Sequence, residues 1–139
     1  MIEGQADGPD LALVAFSGRA SLPWLRLLRP GFRHCFVLVR AGAGWAVVDP
    51  MSHYTLVLPL GDYPLRPLIR ALRAMGLTVL PVRPRVPAPV AQPWRPYTCV
   101  EAVKRVLGLN APWVLTPWQL FRFLTRARRR AVTPAGGPR

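Results

Sequence analysis

Apolar residues fall into short blocks along this chain, and the spacing within each block predicts its element. "LALVAFSG" (11–18) is an unbroken apolar run closed by a turn signal, the pattern of a buried strand. In "SLPWLRLLRPG" (21–31), Leu22, Leu25 and Leu28 recur at helical spacing and Pro30-Gly31 supplies a stop, which predicts one or two helical turns. "FRHCFVLVR" (32–40) and "GWAVVDP" (44–50) are dense in β-branched and aromatic residues and flank a short "AGA", which predicts a hairpin. "YTLVLPL" (54–60) predicts a third strand beside them.

The period then changes. "PLRPLIRALRAMG" (64–76) places Leu65, Leu68, Leu72 and Met75 on one helical stripe, with Pro67 in the first turn and Gly76 as the stop. "LTVLPV" (77–82) reads as another strand, which Pro81 confines to an edge or a strand end. The proline-rich "RPRVPAPVAQPWRP" (83–96) predicts an extended connection. Two helices follow, about 98–107 and about 116–129, the second opened by Thr116-Pro117 with Trp118, Phe121 and Leu124 toward the core. The sum is an α+β domain with a central antiparallel sheet and flanking helices.

Composition supports one domain. The chain has 139 residues, 51% of them hydrophobic and 18% charged, too apolar for a disordered chain and long enough to bury a core unaided. No stretch approaches the eighteen or so uninterrupted apolar residues of a membrane span. The polar leader "MIEGQADGPD" (1–10) is the opposite of a secretory signal, so the expectation is a cytoplasmic protein with free thiols. The net charge is +13 and Lys104 is the sole lysine. Arginines scattered from Arg19 to Arg130 fit arginine-favouring codon use as readily as a basic binding face. "TRARRR" (125–130) concentrates them and opens a basic, flexible tail (125–139), a candidate contact for nucleic acid or an anionic membrane. Nothing in the pattern specifies an oligomeric state.

Candidate chemistry centres on "YTCVEAVKRVLG". Thr98 and Glu101 satisfy the Ser/Thr-x-x-Glu capping pattern, which accounts for the helix start and makes Glu101 a cap rather than a base. Val100, Val103 and Leu107 then form the buried stripe, and Gly108 ends the helix. Cys99 therefore occupies the first helical position, where the helix dipole and open N–H groups favour a thiolate. A thiolate nucleophile needs a base, and the base an orienting group. Of the two histidines, His34 lies in an apolar strand where an unpaired imidazole is costly. Asp49 ends the next strand, where it can orient His34 or serve as a turn residue before Pro50. His53, in a loop, is the reserve orienter, and Cys35 alternates to the face opposite His34 as a core thiol. The Cys99 N–H is a candidate oxyanion donor, with Gln92 and Tyr97 as nearby options for a second. No metal-ligand spacing, phosphate loop or dinucleotide fingerprint occurs, so neither a metal nor another cofactor is expected.

The order His34, Asp49, Cys99 resembles the circularly permuted branch of the NlpC/P60 superfamily of papain-like cysteine hydrolases. Residues 11–40 resemble its opening strand, short helix and histidine-led strand. "YTCVEAVKRVLGL" resembles its Tyr-x-Cys-x-Glu helix through Tyr97, Cys99 and Glu101, and "TPWQLF" resembles the start of its last helix. The likeness spans roughly 11–124 and departs from the pattern at Cys35, where the family carries small or β-branched residues. It implies a papain-like domain over 11–124 acting on a peptide, amide or ester substrate, with Cys99, His34 and Asp49 as a triad working through a thioester. Members of the wider superfamily include cell-wall peptidases, lipid acyltransferases of the lecithin:retinol type and deubiquitinase-like peptidases. The alternatives are a lipid acyltransferase or thioesterase, and a non-catalytic binding or assembly module whose basic tail meets nucleic acid or membrane.

Overall fold

The computed structural model describes residues 11–19, 27–51, 53–85 and 97–132. It is an α+β fold: β1 (Ala12–Ser17), β2 (His34–Ala41), β3 (Gly44–Pro50) and β4 (Thr55–Leu60), then α1 (Leu65–Ala74), β5 (Thr78–Val82), α2 (Cys99–Val106) and α3 (Pro117–Val132). The strands form one antiparallel sheet in the order β4-β3-β2-β1-β5. The expected leader (1–10), most of the 21–31 helix and most of the 83–96 connection lie outside the described residues.

β1 is an interior strand between β2 and β5, and all six of its residues are buried. It shows no polar alternation because helices cover both of its faces. Ala12, Val14 and Phe16 join Cys35 and Val37 under Val100, Val103, Leu107, Leu120 and Leu124, so α2 and α3 form one covering layer. Leu13, Ala15, Leu38 and Trp45 pack against Leu65, Leu68 and Leu72 of α1 on the other face. The opposite case is β4, an edge strand whose Val57 and Leu58 are exposed. Tyr54 accepts a hydrogen bond from Met51 at the start of the β3–β4 ladder, and alternation from there turns the nitrogen of Pro59 outward, where a missing donor costs nothing. Pro81 likewise lies in an edge strand, β5.

Both short helices end on a glycine with positive φ, Gly76 (φ 88) and Gly108 (φ 68). In each case the following residue donates five positions back, Leu77 N–H to Leu72 and Leu109 N–H to Lys104, which satisfies carbonyls that the helix end leaves open. The carboxy-terminal part differs from the sequence expectation. α3 continues to Val132, so Thr125–Arg130 form its last turns rather than a frayed tail. The apolar stripe of Leu120 and Leu124 anchors the helix, and good helix formers carry it onward with Arg126, Arg128, Arg129 and Arg130 exposed. Among the described residues, no helix is long and apolar enough to cross a membrane.

Candidate active site

The first residue of β2, the penultimate residue of β3 and the first residue of α2 meet at one end of the sheet: His34, Asp49 and Cys99. Strand register explains the first pair. β2 and β3 pair Val37 with Val48, and one step further the same register sets Asp49 opposite Phe36. His34 is two residues from Phe36, on the same face, and so is the diagonal neighbour of Asp49. The His34 and Phe36 rings lie near one another, with centroids 6.4 Å apart and planes 29° from parallel.

His34 Nε2 lies 2.6 Å from Asp49 Oδ1, both side chains being about one-fifth exposed. That bond leaves Nδ1 as the ring nitrogen open to the Cys99 sulfur, whose ionisation is coupled to the imidazole. Asp49 therefore bonds His34, as an orienting acid would, rather than its own turn. His53 packs edge-on against Tyr54, with ring centroids 4.9 Å apart.

α2 brings in the thiol. Thr98 has extended backbone and its Oγ1 accepts the Glu101 N–H at 3.2 Å, which fixes the helix start and sets Cys99 at its open end. The reciprocal half of the expected capping box is absent. The Glu101 carboxylate pairs instead with Lys104 at 2.8 Å and Arg105 at 3.5 Å. Lys104 is 2% exposed, and a buried ammonium demands acceptors. It finds three, the Glu101 carboxylate and the carbonyls of Ala111 and Val114, one for each of its protons. Burial alone would raise the Glu101 carboxyl, but the bond and charge of Lys104 hold it below its usual value.

Electrostatics around the sulfur favour a thiolate. The Cys99 pKa is lowered from 9.0 to about 5, first by a hydrogen bond from the Cys35 thiol and then, against the opposing effect of burial, by His34 and the Cys35 backbone N–H. Burial pushes His34 toward neutrality, yet its bonds to Cys99 and Asp49 outweigh this and raise its pKa above 6.5. The raised His34 and the lowered Cys99 together favour an imidazolium–thiolate pair.

The contact with Cys35 goes beyond the sequence reading. Cys35 is a fully buried core thiol on the α2 side of β2, as alternation predicts, but its S–H also reaches the Cys99 sulfur. The only signal in the sequence was that one of just two cysteines occupies a position in a Val-rich strand. Of the two options for a second oxyanion donor, Tyr97 is exposed with Arg105 5.5 Å over its ring, and Gln92 lies outside the described residues. Among the described residues, no group of three or more His, Cys, Asp or Glu is placed to hold a metal ion. No protein-family model matches the chain, and comparison with curated proteins and with solved structures returns no match.

Proposed function

We propose that this protein is a cysteine hydrolase of the amidase or peptidase type, on a circularly permuted papain-like domain. The observation that carries the reading is the chain of contacts Asp49–His34–Cys99 at the open end of α2, with Nε2 committed to Asp49 and the other ring nitrogen left for the sulfur. The order of these residues in the chain is the one that resembles the permuted NlpC/P60 branch.

In this reaction the Cys99 thiolate attacks a substrate carbonyl carbon and the carbonyl π pair moves to oxygen. The oxyanion lies at the start of α2, where the first N–H groups of the helix point outward. Collapse expels the amine or alcohol, which takes its proton from the His34 imidazolium, leaving an acyl thioester on Cys99. Neutral His34, still held by Asp49, then takes a proton from water as the water attacks the thioester. The second collapse releases the acid and regenerates the thiolate–imidazolium pair.

An activated ester such as p-nitrophenyl acetate tests this directly. A burst of nitrophenol with one acetyl group mapped to Cys99, absent in His34→Ala, is the expected result. Equal slow acylation of Cys99 with and without His34 would overturn it.

A second reading, binding to an anionic surface, rests on α3. Trp113 and Leu115 are 66% and 63% exposed just before the helix, and Trp113 meets Phe123 with ring centroids 6.5 Å apart. Phe123 is within a turn of Arg122 and Arg126, both exposed, so apolar and cationic groups share one surface. Sedimentation with vesicles containing phosphatidylserine should then fall with salt and with Arg126→Glu together with Trp113→Ala. Retention unaffected by either change would remove this reading.

A further inference from the structure

The two cysteines lie far apart in the sequence, and the fold brings them together at the candidate nucleophile. Cys35 is held by register: it faces Phe16 of β1 one step inside the Ser17–His34 pair, in a part of the sheet covered by α2. Cys99 packs on the same cluster from the first position of α2, partly exposed, while Cys35 is fully buried. Each thiol's ionisation is set in part by a hydrogen bond to the other, and both pack on one apolar cluster. Acyl transfer uses one sulfur, and nothing in that chemistry calls for a second.

We propose that Cys99 and Cys35 form a reversible oxidation site, in which a hydroperoxide oxidises Cys99 and Cys35 resolves the product as an intramolecular disulfide. In the first step the Cys99 thiolate attacks the terminal oxygen of ROOH. The O–O bond breaks, sulfur loses two electrons to the peroxide, and the products are a sulfenic acid on Cys99 and an alkoxide that leaves as ROH after protonation. In the second step Cys35 loses its proton and attacks the Cys99 sulfur. The S–O bond breaks, hydroxide leaves and takes that proton as water, and a Cys35–Cys99 disulfide remains. A dithiol reductant returns both thiols by exchange, entering at Cys99, the more accessible sulfur.

The asymmetry of the pair sets the order of events. Only Cys99 combines exposure with thiolate character, so it meets the oxidant first. While Cys99 is anionic, its hydrogen bond and charge, together with burial, hold the Cys35 thiol well above its ordinary pKa and keep it protonated. Conversion of Cys99 to a neutral sulfenic acid removes that anion, and Cys35 becomes easier to ionise when an electrophilic sulfur lies beside it. Resolution then competes with a second oxidation to sulfinic acid, which dithiols do not reverse.

This inference rests on the reading of Cys99 as a reactive thiolate but not on any hydrolytic activity, so the test is a mass measurement. Reduced full-length protein is treated with hydrogen peroxide at neutral pH and freed of oxidant, remaining thiols are capped with N-ethylmaleimide in denaturant so that the buried Cys35 is reached, and the product is mapped by proteolysis. The wild type should lose both cappable thiols together without gaining oxygen, yield a linked peptide containing Cys35 and Cys99, and recover both thiols with dithiothreitol. Cys35→Ser and Cys35→Ala, each checked for native circular dichroism, should instead gain two oxygens on Cys99 that dithiothreitol leaves in place. Wild-type protein in which Cys99 gains oxygen while Cys35 stays cappable would overturn the inference, even if neither variant folds. Disulfide formation in protein that fails to form the acetyl–Cys99 adduct would sink the hydrolase reading while upholding this one.

Discussion

α2 carries two polar clusters one turn apart, and they are built to different ends. At its start, Cys99 meets His34 and Asp49 at the end of the sheet, with all three groups reachable from solvent. At Glu101 and Lys104 the helix carries an ion pair that is almost fully buried and closed, since each proton on the Lys104 nitrogen has an acceptor. A buried network with every partner supplied ties the α2–α3 connection to the helix and offers nothing to a ligand. A partly exposed network that ends on a sulfur favoured as thiolate keeps lone pairs free for a carbon or oxygen electrophile. Neighbouring polar groups on one short helix therefore divide into structure and chemistry by whether their bonding capacity is used up.

The comparison can be broken at either cluster. The largest effect belongs to the open one: Cys99→Ala or His34→Ala should lower ester turnover on the order of 10⁴-fold or more in protein that still folds. Turnover surviving at a tenth of wild type in either variant would take the chemistry away from this cluster. The closed cluster should do the reverse. Lys104→Met leaves the Glu101 charge buried and should cost about 3–5 kcal/mol in denaturant unfolding, while the rate of Cys99 alkylation in the folded protein stays the same. A change in alkylation would mean the two clusters are coupled.

Titration sharpens the contrast. Iodoacetamide labelling of Cys99 should rise with pH to a plateau with its midpoint about 5. Cys35 should stay unlabelled across that range. His34→Ala should move the Cys99 midpoint upward and slow labelling at pH 5 to 6, roughly tenfold for each pKa unit recovered. A midpoint near 9 in the wild type would remove the thiolate.

Stability should carry the same signature. Unfolded Cys99 holds a proton below 9.0 that the folded protein releases near pH 5, so this group stabilises the fold as pH rises from about 5. Folded His34 keeps a proton that the unfolded chain loses at 6.5, which opposes the trend above that value. Unfolding free energy should therefore climb between about pH 5 and 6.5 and level off above it while folded His34 remains charged. Cys99→Ala should flatten that rise in a series of urea midpoints. The smallest change is Thr98→Ala, which removes the cap that positions Cys99 and should cost about 1 kcal/mol.

Much of this was legible beforehand because it follows from local chemistry. The block from Leu11 to Ser17 has no polar alternation, and β1 is buried on both faces. Leu65, Leu68 and Leu72 recur at helical spacing, and they pack α1 onto the sheet. Thr98 marked the start of α2 and Gly108 its end, since an oxygen acceptor and a residue free to take positive φ are what those positions require. Scarcity also helped: with two histidines and two cysteines, few Cys–His pairs were possible, and the hairpin between β2 and β3 made Asp49 the near acid. Arg126 to Arg130 were misread as a tail because runs of charge look solvated, and a helix face can be solvated too.

The succession of elements, the apolar stripes, the cap at Thr98 and the short list of reactive groups can be read along the chain, because each depends on residues within a turn or a strand pair of one another. Where the Glu101 carboxylate goes and what surrounds the Cys99 sulfur depend instead on long-range packing. Glu101 turns to Lys104 because the α2–α3 connection buries that ammonium and leaves it in need of a counter-charge. Cys35 and His34 project to opposite faces of one strand, yet both reach Cys99 because α2 begins over the end of the sheet. Alternation gives the side of a strand on which a side chain lies. Which helix end comes to rest there is fixed by the packing of α2 against β1 and β2, a contact between residues distant in the chain.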